Sequence, residues 1–171
     1  METLQIAVLL CLCILVLGVY YFFLIKDSTS DFISHPFWFD MPKDVIKFFI
    51  IFQMLAVVGF ITAVTSWIQT PPEKGIMKGN MLFFTIALFL LSAAAWPIAT
   101  YHNSQIGSVS SILLTAFASI LLLTGSIQEE ENVKWYRVLG LLLLCSTTVL
   151  GDGVLWNVNY ILKQKQKITT N

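Results

Sequence analysis

The chain has 171 residues, of which 57% are hydrophobic and 12% are charged, and its mean hydropathy is +0.78. Soluble globular domains usually carry about 25% charged residues, so this composition excludes an ordinary soluble protein. Ten basic residues balance ten acidic ones. Because no excess of basic charge is available, we expect no binding to nucleic acid.

Five segments are apolar and long enough to cross a membrane as helices, because about 20 apolar residues span a hydrocarbon layer about 30 Å thick. Polar or helix-breaking residues separate consecutive segments. The sequence therefore predicts an all-α integral membrane protein, with a single domain over residues 1–171 that forms a bundle of five transmembrane helices. The predicted helices are about Leu4–Ile25, Val45–Ile68, Met81–Ala99, Ile106–Gly125 and Val138–Leu162.

The connection between the first two predicted helices is rich in aromatic residues. Phe37, Trp38 and Phe39 stand next to His35 and Asp40 in this stretch. Aromatic and charged side chains together are typical of a segment that lies in the headgroup region of a bilayer. We predict an aromatic-rich interfacial segment here, and a plain aromatic belt at the membrane surface is the alternative.

The distribution of basic residues favours one orientation in the membrane. Five crossings place the two termini on opposite sides. The side that holds the C-terminus carries six Lys residues, and the other side carries three Lys and one Arg. Because cytoplasmic loops are enriched in Lys and Arg, we expect the N-terminus outside and the C-terminus in the cytoplasm.

Asp152 is the one acidic or basic residue deep inside a predicted helix, ten residues before the end of the fifth. At about 1.5 Å per residue it lies about 15 Å below the membrane surface. A carboxylate at that depth costs at least about 2.5–3.5 kcal/mol, so such a residue marks a functional site by default. With no basic residue at this depth, we expect either a protonated carboxyl that donates a hydrogen bond, or a carboxylate that holds a cation or a ligand amine.

Other polar residues are predicted at the depth of Asp152. Cys145, Thr148, Trp156 and Asn159 share its helix face at intervals of three and four. Counting residues from the same membrane surface brings side chains of the second, third and fourth helices into one layer, about 10–15 Å deep. The first helix contributes nothing polar there, so we expect it at the periphery. The candidate binding site or ion pathway comprises Asp152, Gln53, Ser92, Thr115, Asn159, Trp96, Trp156 and His102.

A second pattern concerns helix packing. Small residues recur at every fourth position of the fourth helix, which allows close backbone approach within the bundle or between protomers. Two glycines flank Asp152 and let a neighbouring helix come close. These packing residues are Gly107, Ser111, Thr115, Ser119, Gly151 and Gly153. The polar residues of the layer have the same alternative, because hydroxyl and amide groups inside membranes often serve only to hold helices together.

The sequence contains no cluster with metal-ligand spacing, no phosphate-binding loop and no nucleophile motif, so we expect no metal and no cofactor. We favour a non-enzymatic role, and an enzyme that acts at the membrane interface is the alternative. We favour a structural or accessory subunit that resides in the lipid bilayer with other membrane protein subunits or with copies of itself. The alternative is a small transporter, a proton or cation channel, or a lipid- or amine-binding protein that uses the site around Asp152.

Overall fold

The structure is a computed structural model that describes residues 2–26, 38, 41–72, 75–128 and 134–162. Within these ranges every long element is a helix, and five helices are long and apolar enough to cross a membrane. The prediction of an all-helical chain with five helices of membrane-spanning length is therefore confirmed for the described residues. The predicted interfacial segment lies outside the described residues except for Trp38, which is 3% exposed.

The helices begin and end within a few residues of the predicted bounds. Helix α1 turns into a short π-helix at its C-terminal end, and α5 continues as a ten-residue π-helix, called here the π segment, before a last α-helical turn at 157–162. The elements are α1 Thr3–Tyr20 with Tyr21–Lys26, α2 Lys43–Gln69, α3 Asn80–Tyr101, α4 Gln105–Ile127, α5 Trp135–Ser146 and the π segment Thr147–Trp156.

The helices do not pack in chain order. Helix α3 packs along both α1 and α4, α4 packs against α5 and the π segment, and α2 packs along α5. The polar contacts Thr100–Ser108 and Ser92–Thr115 show that α3 and α4 are antiparallel, because one residue number rises as the other falls. By the same reasoning, the contacts Gln5–Asn80 and Tyr20–Trp96 show that α1 and α3 are parallel.

Helix α1 lies at the edge of the bundle, as the sequence predicted. Only 6% of its most apolar stretch is buried, against 56% for α3. Large apolar side chains such as Leu4, Ile14 and Leu17 are more than two-thirds exposed on its outer face. An outer face of this kind is what a lipid environment requires.

Two apolar clusters form the core. The larger one joins all five helices and includes Leu9, Phe60, Phe89, Leu122 and Leu141. In this cluster Phe60 of α2 and Phe89 of α3 stack with ring centroids 5.1 Å apart.

The smaller one, called here the aromatic cluster, lies toward the C-terminal ends of α3 and of the π segment. It contains Trp38, Met41, Ile46, Phe49, Trp96, Ile112, Trp156 and Tyr160.

The backbones of α2 and α5 cross in direct contact at Gly59 and Gly140. A Cβ atom built on Gly59 would lie 2.5 Å from the Gly140 carbonyl oxygen, and one on Gly140 would lie 2.6 Å from that of Gly59. Because the obstructing atoms are backbone, no side-chain movement could make room for a methyl group. The sequence interpretation did not single out either glycine.

We expect Gly140→Ala to destabilise the bundle by about 1–3 kcal/mol, since an extra methyl forces the two backbones apart. Thermal unfolding in detergent measures the change. Gly18→Ala is the matched control, because nothing lies within 4 Å of a Cβ at Gly18. Equal melting temperatures for the two variants would show that the crossing is not as close as described.

Candidate functional site

Asp152 is buried at the interface between the π segment and α2. It is 9% exposed, and its Oδ1 atom accepts a long hydrogen bond of 3.4 Å from Nε2 of the half-buried Gln53. Within the described part of the chain it is the only buried acidic residue, because Glu2 and Asp44 are exposed. Asp152 and Gln53, two residues of the candidate site, are therefore hydrogen-bonding partners.

The glycines on either side of Asp152 have different roles. A Cβ at Gly151 would lie 2.6 Å from the Phe49 ring of α2, so the absence of a side chain lets α2 approach here. A Cβ at Gly153 would meet only the Thr148 carbonyl oxygen of its own helix, at 3.1 Å. Gly151 therefore fulfils the predicted packing role, whereas Gly153 faces no neighbouring helix.

The π-helical winding changes which residues accompany Asp152. The buried residues from Thr147 to Asn157 come in neighbouring pairs, and the pairs are separated by four and then five positions, as expected for i→i+5 hydrogen bonding. These pairs are Thr147 with Thr148, Gly151 with Asp152, and Trp156 with Asn157. An α-helix would instead have repeated every three or four residues.

The prediction that Asn159 shares the buried helix face of Asp152 is consequently wrong. Asn159 is half-buried and donates from Nδ2 to the Leu155 carbonyl oxygen of its own helix at 2.8 Å. Asn157 is the buried asparagine instead, 6% exposed, and it donates to the Gly153 carbonyl oxygen at 3.0 Å. The error comes from applying α-helical spacing to a π-helical stretch.

Ser92 and Thr115 meet at the α3–α4 interface rather than around Asp152. Their hydroxyl oxygens are 2.9 Å apart, and each side chain is 5% exposed. One turn along α4, the Ser119 hydroxyl lies 2.7 Å from that of Thr148 on the π segment. Thr148 is in turn four residues before Asp152. Ser92 with Thr115 and Ser119 with Thr148 therefore form two interhelical hydroxyl pairs, separate from the contact of Asp152 with Gln53.

The small residues of α4 face the inside of this chain. Ser111 hydrogen-bonds the Gly107 carbonyl oxygen of its own helix, and Ser111, Thr115 and Ser119 are all buried. A Cβ at the half-buried Gly107 would lie 3.1 Å from the Ala99 Cβ of α3. Of the two possibilities for this stripe, the structure shows packing within the bundle.

Trp96 and Trp156 pack against each other in the aromatic cluster. Their rings meet edge to face with centroids 5.1 Å apart, and Trp156 also stacks on Tyr160 at 4.9 Å. Trp96 and Trp156 are 3% and 0% exposed. Both tryptophans are thus tightly packed parts of the aromatic cluster.

His102 is not part of the site. It lies in the turn after α3, where its side chain is exposed and its ring contacts that of Tyr101. Tyr101 is itself 53% exposed and packs against Phe23 of α1. Both rings therefore lie at the surface end of the bundle, and none of their described contacts reaches Asp152.

Tyr20 shows that the peripheral helix α1 nevertheless contributes a polar group. Its hydroxyl accepts a 2.7 Å hydrogen bond from Nε1 of Trp96. The peripheral helix α1 therefore supplies a polar partner to Trp96, a contact that residue counting did not predict.

A buried cation lies near the C-terminal end of α2. Arg137 of α5 is 1% exposed, donates to the Ser66 hydroxyl from Nε and Nη2 at 3.1 and 3.0 Å, and sits 5.3 Å from the Trp67 ring centroid. Nearby, Nζ of Lys134 donates to the Thr70 hydroxyl at 2.9 Å. Positive charge at a helix C-terminus offsets the negative end of the helix dipole, so both cations stabilise the end of α2.

Arg137→Lys should lower the free energy of unfolding by about 1–3 kcal/mol, because lysine cannot reproduce the two-nitrogen contact with Ser66. Unfolding in detergent at a series of denaturant concentrations measures this. Lys78→Arg, at an exposed position, serves as the matched exchange of one cation for another. An equal effect of both exchanges would contradict the role given to Arg137.

Comparison with known proteins found no matching family model, no matching curated protein and no matching solved structure.

Proposed function

We propose that this chain is a multi-pass membrane protein that acts as a structural or accessory subunit of a larger membrane assembly and catalyses no reaction. Its five long apolar helices support insertion in a membrane. We further propose the orientation given by the basic residues, with the N-terminus outside and the C-terminus in the cytoplasm.

The main support for the proposal is that hydroxyl groups inside the bundle are paired with each other across helix interfaces. The hydroxyls of Ser92, Thr115, Ser119 and Thr148 are buried and lie within 3 Å of a partner hydroxyl on a neighbouring helix. A transport pathway needs polar groups that can contact a passing substrate or water. Paired hydroxyls of this kind instead hold helices together, which favours a scaffold.

Native mass spectrometry after extraction in mild detergent tests this role. We expect the chain in a stoichiometric complex, either with other membrane proteins or with copies of itself. Asp152→Asn should leave the complex intact, because an asparagine amide can still hydrogen-bond Gln53. A chain that is recovered only as a monomer without any protein partner would contradict the proposal.

A second candidate function rests on Asp152 itself. π-Helices are rare and frequently occur at functional sites, and Asp152 lies inside one with Gln53 as its one hydrogen-bonding partner among the described residues. Under this candidate the carboxyl binds a proton, a cation or the amine of a ligand, as in a small transporter, a channel or a lipid- or amine-binding protein. A site that opens to one membrane face fits the position of the polar residues.

Asp152→Asn distinguishes the two candidates. If Asp152 is the functional group, the variant loses ion flux or ligand binding in proteoliposomes while its melting temperature stays close to that of the unaltered chain. Ser92→Ala is the control, since it removes a polar group that is paired at the α3–α4 interface. Retained flux or binding in Asp152→Asn would exclude the second candidate.

A further inference from the structure

A cleft opens at the end of the bundle opposite the aromatic cluster. It lies among the first turns of α1 and α3 and the connection between α2 and α3, and its volume is about 740 Å³. Ligand pockets in proteins usually measure about 300–1,000 Å³, so the cleft is large enough for a small polar molecule. It is separate from Asp152, which lies much further along the bundle.

The walls of the cleft combine opposite charges with carboxamides. Glu2 and Lys78 both line it, as do Gln5 and Asn80, whose side chains hydrogen-bond each other at 2.9 Å and tie α1 to α3. Leu82 and Pro72, both buried, give it an apolar floor. The cleft is therefore polar where it meets the surface and apolar where it meets the core.

Glu2 and Lys78 are not paired with each other. Within the described residues the one ion pair is Lys47 with Asp44, which lies at the N-terminal end of α2. Glu2 accepts a hydrogen bond from the backbone in the first turn of α1, and both charged side chains are exposed. Two opposite charges that share a cleft without pairing leave a position for a ligand that carries both signs.

We propose that this cleft binds the headgroup of a zwitterionic phospholipid that carries a primary amine. The Lys78 ammonium would bind the phosphate, the Glu2 carboxylate would bind the lipid ammonium, and the acyl chains would continue along the apolar outer face of α1. The position of the cleft at the ends of apolar helices is the level at which headgroups lie. The proposal rests on membrane insertion of the bundle and is independent of any protein partner.

Thermal unfolding in micelles doped with one lipid at a time tests the proposal. The probes are dioleoyl phosphatidylethanolamine, phosphatidylcholine and phosphatidylglycerol at equal mole fraction. A lipid that binds only the folded chain raises its melting temperature. We expect phosphatidylethanolamine to give the largest rise, because a trimethylammonium group donates no hydrogen bond to Glu2 and phosphatidylglycerol has no cation for it.

Three charge-neutralising variants complete the experiment. Lys78→Gln should weaken the apparent affinity for phosphatidylethanolamine about tenfold, the effect of removing one charged hydrogen-bonding group. Glu2→Gln should abolish the preference over the other two lipids. Lys47→Gln makes the same charge change as Lys78→Gln away from the cleft and should leave the response unchanged.

Melting in lipid-free detergent checks that each variant is folded. Equal responses of the unaltered chain to all three lipids would overturn the proposal, as would equal effects of Lys78→Gln and Lys47→Gln. A preference for phosphatidylglycerol would show an anionic-lipid site and would also overturn it. None of these results bears on the subunit role, which the mass of the purified complex tests separately.

Discussion

The antiparallel crossing of α2 and α5 at Gly59 and Gly140 is the contact on which the rest of the arrangement depends. Because the two backbones touch there, residues on both sides of the crossing are brought within reach of each other. Toward one end this places Arg137 on Ser66. Toward the other it places Gln53 on Asp152 and Phe49 on Gly151. In an apolar environment such close contact matters, since helices associate there by packing and hydrogen bonding rather than by the hydrophobic effect.

The close packing of the helices also explains where the polar groups lie. Hydroxyls on α3, α4 and the π segment are small enough to lie between closely packed helices, and they satisfy one another across the interfaces. Two charged-type residues are buried in the described part of the chain, and their surroundings differ. Arg137 has a hydroxyl and an aromatic ring to receive its charge, whereas Asp152 has a single long hydrogen bond from an amide. That contrast is why the hydroxyls support a scaffold while Asp152 supports the second candidate function.

Hydropathy and helix length were sufficient to predict the five helices, because twenty apolar residues have few other stable arrangements. Residue counting also brought Gln53 to Asp152, since both lie at comparable depth on neighbouring helices. It failed for Asn159, because the π-helical winding puts Asn157 inside instead, and no feature of the sequence signals that winding. Residue counting missed Tyr20, whose long side chain reaches Trp96. The predicted fifth helix also began after Arg137, because a buried arginine needs partners that only the fold reveals.

We infer that the bundle crosses a membrane and that the residues around Asp152 lie within the hydrocarbon. Labelling of single cysteines in intact vesicles with a membrane-impermeant maleimide, after the three native cysteines are replaced, tests this inference. We expect Lys47→Cys and Lys78→Cys to react from opposite sides, because α2 lies between them, and Asp152→Cys to react from neither side. Reaction of both lysine positions from one side, or ready reaction at position 152 from both sides, would contradict it.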